Sequence, residues 1–220
     1  MITHRSCTGF NRLDVKFNGP APVTAHVVRQ DMVDAIVQSN GKLTLISAPA
    51  GFGKTTLMTQ VRLAFEKADI TTTWMTADPA DNDLSRFLVC LDELVSRLGV
   101  VNPELDPIAA LAYHTVPFAL FLDELEAIHE PSVLALVQEI AQHLPPRGHL
   151  VIGTRSQPAM GLARLRVCGR LLELDASQLR FNLKETHALF APQLEQGALL
   201  SEQVQKLHEK TERRDAALWV

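Results

Sequence analysis

The run Ser47-Ala-Pro-Ala-Gly-Phe-Gly-Lys-Thr-Thr56 sets two glycines and a Lys-Thr pair between a short apolar stretch, Lys42 to Ile46, and a segment from Thr56 to Phe65 whose apolar residues recur at helical spacing. Strand, glycine-rich turn and helix in that order constrain a chain more than any bulk property does. Gly51 and Gly53 let the backbone curl until consecutive N–H groups point at one centre, and the helix N-terminus adds partial positive charge there. Such a nest holds an anion. Lys54 is placed to reach the β- and γ-phosphates of a nucleotide and the Thr55 hydroxyl to ligate Mg²⁺, with Ala50, Gly51, Phe52, Gly53 and Thr56 completing the cradle. The pattern G-x-x-x-x-G-K-[ST] begins here with Ala48. An alanine is tolerated there if that position does not need a positive φ.

A second stretch, Pro117-Phe-Ala-Leu-Phe-Leu-Asp-Glu124, is apolar without alternation and closes on an acidic pair. Such a run suits a strand buried on both faces of a parallel sheet, and the carboxyl end of such a strand is where these sheets bind ligands. Asp123 fits a Mg²⁺ ligand of Walker B type, and Glu124 is placed to orient or deprotonate an attacking water. Lys54, Asp123 and Glu124 are thus the expected catalytic set, with Thr55 and Asp123 on the metal and ATP or ADP as the ligand.

With 21 Lys and Arg against 25 Asp and Glu, the net charge of −4 argues against a general polyanion binder. The first ten residues lack an apolar signal core, and no unbroken apolar stretch reaches the roughly 18 residues of a membrane span, so a cytoplasmic chain without membrane contact is expected. Cys7, Cys90 and Cys168 are widely spaced and lack a C-x-x-C pair, which suggests reduced thiols, two of them in packed elements. His143 and His149 flank a connector carrying Pro145, Pro146 and Gly148.

Further signals alternate between strand and helix. A helix is expected over about 28–39 and a strand over 70–76. An apolar stripe of Leu84, Phe87, Leu88, Leu91, Leu94, Val95 and Leu98 predicts a helix over 83–98, with all seven in the core. A helix over 132–143 and strands over 149–154 and 170–175 follow. The expected fold is α/β: a doubly wound, five-stranded parallel sheet of P-loop NTPase type with helices on both faces, then the start of a helical domain. The divisions are an irregular arm over 1–25, the P-loop domain over 26–176 and an incomplete helical domain over 177–220. The phosphate loop follows strand one, the acidic pair strand three and Thr154-Arg-Ser156 strand four, an order that matches P-loop ATPases in which the fourth strand lies between the other two. Arg155 is then a candidate sensor of the γ-phosphate, its fork of donors suited to phosphate oxygens; a solvated turn arginine is the alternative.

Val28-Arg29, the loop 47–56, Trp74 followed by Asp81-Asn-Asp83 and Arg86-Phe87, Phe121-Leu-Asp-Glu124, His143-Leu-Pro-Pro146, Thr154-Arg-Ser156, Leu162-Ala-Arg-Leu-Arg166 and Leu179-Arg-Phe181 occur in an order that resembles the ATPase module of MalT-type regulators. These are the large ATP-binding members of the LuxR class among the STAND P-loop NTPases. The resemblance covers about residues 26 to 212 and implies a switch: ADP held in a closed form, exchange for ATP when a small inducer binds a distant repeat domain outside this chain, then self-association and activation of transcription. It also implies that Arg29 holds the nucleotide near its base or phosphates, and that hydrolysis is at most slow. Family members continue into a winged helix, superhelical repeats and a helix-turn-helix, so no direct DNA binding is expected of these 220 residues. Where the family carries Gly-Trp after Thr-Glu, this sequence runs from Thr211-Glu212 into Arg213-Arg-Asp215. A stand-alone P-loop ATPase and a nucleotide-stabilised interaction protein without turnover are the other two readings.

Overall fold

The structure, a computed structural model, describes residues 16–21, 27–39, 42–99 and 105–212. Five strands, β1 (Leu43–Ser47), β2 (Thr71–Thr76), β3 (Phe118–Asp123), β4 (Gly148–Thr154) and β5 (Leu171–Asp175), form one sheet in the order β2-β3-β4-β1-β5. Every pairing is parallel. The expected fold is thus the observed one, with β4 between β1 and β3.

Period-two alternation explains why the central strands are apolar throughout. In β3, Phe118, Leu120 and Leu122 enter one hydrophobic cluster while Ala119 and Phe121 enter the other, and β4 divides Leu150 and Ile152 from Val151 in the same way. Each face is covered by helices. Beneath the first lie α3 (Leu84–Arg97), α4 (Pro107–Ala112) and α5 (Pro131–His143), which contribute Phe87, Leu111 and Val137 among others. The second is covered by α1 (Gln30–Val37) and α2 (Lys54–Lys67), through Val33, Ile36, Leu57, Met58, Val61 and Phe65. Trp74 packs on this second face, its ring stacked on Phe121 at 5.4 Å and 10°, while Phe65 meets Phe121 edge-on at 6.3 Å.

The chain continues through α6 (Ala163–Val167), β5, α7 (Ala176–Leu179), α8 (Leu183–Leu189), α9 (Ala191–Glu195) and α10 (Ser201–Glu212). Asn182 caps α8 by accepting from the backbone N–H of Glu185, whose carboxylate accepts from Asn182 in return, a reciprocal box that fixes where the helix starts. Helices α8 and α10 lie within the segment expected to begin a helical domain. Residues 213–215, on which the departure from Gly-Trp falls, lie outside the described residues.

Several expectations are corrected. On α3, Phe87, Leu91, Leu94, Val95 and Leu98 are buried, but Leu84 and Leu88 are 39% and 37% exposed, and Cys90 joins the core instead. Seven apolar positions make a stripe wider than the strip of helix that meets the sheet. Of the three cysteines, Cys90 is buried, Cys168 is exposed at the end of α6, and Cys7 lies outside the described residues. The arm expected to be irregular over 1–25 departs from that at Lys16 and Phe17, which are helical and buried. Phe17 joins the first cluster beneath the Arg97 guanidinium, and Lys16 pairs with Asp78 and the fully buried Asp81. Helix α4 was not expected, although its signal is local: Asp106 accepts from the N–H groups of Ile108 and Ala109, and Pro107 takes the first helical position.

Phe121 packs against two other aromatic rings, Phe65 and Trp74, on one face of β3, so Phe121→Ala is expected to cost about 3–5 kcal/mol of unfolding free energy, read as a lower urea midpoint at unchanged slope. A loss under about 1 kcal/mol would mean that the ring cluster is not part of the cooperative core.

Candidate functional site: the phosphate loop

The loop leaves β1 at Ser47 and enters α2 at Lys54. Gly51 and Gly53 have φ of +84° and +77°, and Gly53 is the left-handed residue immediately before the helix. Ala48 is not among the positive-φ residues, its side chain is buried in the second cluster, and its N–H donates to Thr154 O at 3.1 Å. An alanine therefore fits at the first motif position. Phe52 packs in the same cluster and pins the loop from below, so its contribution to a ligand is limited to its backbone.

The Lys54 side chain folds back over the loop, its ammonium donating to Ala48 O at 2.7 Å and Pro49 O at 3.0 Å. An ammonium has three donors, so one remains for a ligand in this arrangement. Burial pulls its pKa below the ordinary lysine range; the carboxylates of Glu126, Asp123 and Glu124 act to raise it, and Arg155 lowers it further. The Thr55 hydroxyl donates to Asp123 Oδ2 at 2.7 Å, and the Glu124 N–H donates to Asp123 Oδ1 at 2.9 Å. Asp123 is 3% exposed and Glu124 is exposed.

Two backbone features set this arrangement. Glu124 has φ +57°, a left-handed conformation that is costly for a non-glycine residue and turns its side chain out of the strand's alternation. In β4, a Cβ on Gly153 would lie 2.5 Å from Asp123 Oδ1 and 2.6 Å from Met58 Sδ, so the strand between β1 and β3 has to lack a side chain there.

A cavity of about 160 Å³ is lined by Ala50, Gly51, Gly53, Lys54, Thr55, Thr56, Asp123, Glu124, Glu126 and Arg155. The structure therefore brings together every residue that the two motifs and the strand-four turn singled out, apart from the Phe52 side chain. Glu126, missed in the sequence, sits in the 3₁₀ turn Leu125–Ala127, where its carboxylate pairs with Arg155 Nε at 2.7 Å and accepts from Arg155 N at 3.1 Å. Its signal is modest: an acidic residue one turn beyond the strand-end Asp123.

Arg29 is not among the residues of this cavity. It is 5% exposed, and its guanidinium donates to Leu179 O at 2.7 Å and Arg180 O at 3.0 Å, pairs with Glu185 at 3.2 Å, and lies over the Phe181 ring at 5.1 Å. With Gln178, Arg180 and Glu185 it lines a second cavity of about 410 Å³ between the entry to α1 and the start of α8. Gln60 on α2 was also missed; it accepts from Arg29 N at 3.0 Å and donates to Val27 O at 2.9 Å, strapping this entry segment to the loop helix.

No family model matches the chain. Over 194 residues it is 30% identical to the HTH-type transcriptional regulator MalT of Serratia proteamaculans and 29% identical to that of Klebsiella pneumoniae, 80% of this chain being covered in each case. The likeness supports a MalT-type ATPase module. The chain spans about a fifth of the length of these MalT relatives, 21% of each. Among solved structures, it superposes with a TM-score of 0.54 on a STAND protein with a tetratricopeptide repeat sensor from Pyrococcus horikoshii, at 14% identity, covering 88% of this chain and 29% of that one. A TM-score of 0.54 also relates it to Cdc6p of Pyrobaculum aerophilum, at 10% identity, with 87% of this chain and 56% of that one covered. At these identities the structural likeness is one of fold. No described helix of this chain is long and apolar enough to cross a membrane.

Arg29→Ala would leave the Glu185 carboxylate and the carbonyls of Gln178, Leu179 and Arg180 without their shared donor. A loss of about 2–3 kcal/mol is expected, with faster amide hydrogen exchange over residues 178–189 and unchanged protection in β1 and β3. Unchanged exchange over 178–189 would show that Arg29 does not hold that segment.

Proposed function

We propose that the chain binds ATP and ADP with Mg²⁺ in the loop cavity and that the difference between the two works as a switch. The observation that carries this reading is the convergence of Lys54, Thr55, Asp123, Glu124 and Arg155 on one cavity beside two positive-φ glycines. The likeness to MalT, a transcriptional regulator, supports it.

The donor set fits the metal. Thr55 Oγ1 and Asp123 Oδ2 are hard oxygen donors already 2.7 Å apart. Among the described residues no group of three His, Cys, Asp or Glu could hold an ion by itself. That suits Mg²⁺, which keeps several waters and takes its remaining ligands from phosphate. When bound, the ion neutralises phosphate charge. The rest falls to the protein: Lys54 and the loop N–H groups hold the phosphates, Arg155 reads the terminal one, and Glu124 orients or deprotonates water for a slow hydrolysis that resets the switch. Arg29 holds the nucleotide from the side of the second cavity. Self-association in the ATP form, an inducer bound outside this chain and DNA contacts made elsewhere complete the MalT-type reading. Population shift sets its condition, since ATP and ADP move an equilibrium between two forms only if they bind those forms with different affinity.

Lys54→Ala is expected to abolish ATP and ADP binding in titration calorimetry, because Lys54 is the main point charge on the phosphates. Affinity equal to that of the parent chain would reject the loop as the nucleotide site. Glu124→Gln is expected to keep nucleotide binding while lowering single-turnover hydrolysis by about 10²–10⁴-fold. Equal turnover in the two proteins would remove Glu124 from that role.

A further inference from the structure

Glu126 is a carboxylate of the phosphate cavity to which the proposed function gives no task. Its side chain is 19% exposed, against 56% for Arg155, so it is the more fixed member of their pair. It holds Arg155 at two points, the backbone N–H and Nε. It also lines the same cavity as the other cation of the site, Lys54. The carboxylate thus holds one of the two positive groups that a terminal phosphate would use and shares a cavity with the other.

Charge counting gives the consequence. Lys54 and Arg155 stand against Asp123, Glu124 and Glu126, so the side chains lining the cavity sum to −1 before any ion or nucleotide enters. A triphosphate carries more negative charge than a diphosphate and places it where Arg155 is to be reached. Its terminal group has to compete with the Glu126 carboxylate for the same guanidinium and remains close to that carboxylate afterwards.

We propose that Glu126 sets the nucleotide preference of the site, weighing against the triphosphate relative to the diphosphate by occupying Arg155 and by its own charge. This rests on the nucleotide-binding reading above. It makes Glu126 a specificity-determining residue of the resting protein: ATP has to displace an existing ion pair, whereas ADP does not.

The test is titration calorimetry of the chain with Mg²⁺ plus ADP, and with Mg²⁺ plus a non-hydrolysable ATP analogue. Glu126→Gln keeps an acceptor for the Arg155 N–H and removes the charge; Glu126→Ala removes both and guards against an effect peculiar to glutamine. In both variants the ratio of the two dissociation constants is expected to move toward the triphosphate by roughly tenfold, and the shift should shrink at high salt. Arg155→Ala is expected to move the ratio the other way. A ratio unchanged within about twofold in the Glu126 variants, a parallel change in both affinities, or a shift toward ADP would each overturn the proposal while leaving nucleotide binding intact. A parent chain that binds neither nucleotide would instead overturn the reading beneath it.

Discussion

Asp123 reaches Thr55, in the first turn of α2, because β4, which lies between β3 and the strand that leads into the loop, carries no side chain at Gly153. The parallel order places β4 between β1 and β3, so the phosphate loop and the acidic strand end are not neighbours in the sheet. Their functional groups meet over β4, and a Cβ on Gly153 would come 2.5 Å from the Asp123 carboxylate. The 2.7 Å hydrogen bond from Thr55 to Asp123 and the 2.9 Å bond from the Glu124 N–H follow from this one gap. The left-handed turn at Glu124 then directs the next carboxylate toward the same cavity. Were β4 to carry even an alanine at this point, Asp123 or Met58 would have to move, and the ligand geometry at the end of β3 would move with it.

The parts of the site legible in the sequence are those whose geometry is fixed by near neighbours along the chain. Ten residues from Ser47 to Thr56 suffice to define the nest, because two glycines and a helix start are local facts. Asp123 and Glu124 could be read for a similar reason: an apolar run without alternation is a strand buried on both sides, and its last residues emerge at the ligand edge. The place of β4 between β1 and β3 followed from the order of the motifs, whereas the edge positions of β2 and β5 did not. Glu126 was not legible as a site residue, because its importance comes from Arg155, 29 residues away and just past the end of β4. The surroundings of Arg29 are carbonyls and a carboxylate some 150 residues downstream, and only the fold brings them together. Leu84 and Leu88 show the opposite failure, in which helical periodicity was read correctly but the width of the contact was not.

The cavity binds its own charges before it binds anything else. Lys54 spends two donors on the loop carbonyls, Thr55 spends its proton on Asp123, and Arg155 is held by Glu126. Each of these bonds lowers the cost of burying polar groups without a ligand. Each would also have to be exchanged or shared on binding phosphate and metal, so the affinity of the proposed site is a difference between two satisfied networks. Small charge changes in such a site alter which ligand is preferred more readily than whether a ligand binds at all, because the cradle of N–H groups is common to all phosphates.

A physical path leads from this cavity to the helices that follow the sheet. Lys54 and Thr55 occupy the first turn of α2, and Gln60, about one and a half turns further on, bonds Val27 O and Arg29 N. The Arg29 guanidinium in turn holds the carbonyls of Leu179 and Arg180 and the Glu185 carboxylate at the start of α8. Two hydrogen-bonded residues thus connect the first turn of α2 to the segment leading into α8. Continuity of this kind is necessary for a switch and not sufficient, since coupling requires two arrangements that the nucleotides weigh differently. On the proposal above, the Glu126–Arg155 pair supplies a physical reason for such unequal weighing at one end of the path; at the other end, breaking the Arg29–Glu185 pair would leave the buried Arg29 guanidinium, 5% exposed, to its carbonyl partners alone.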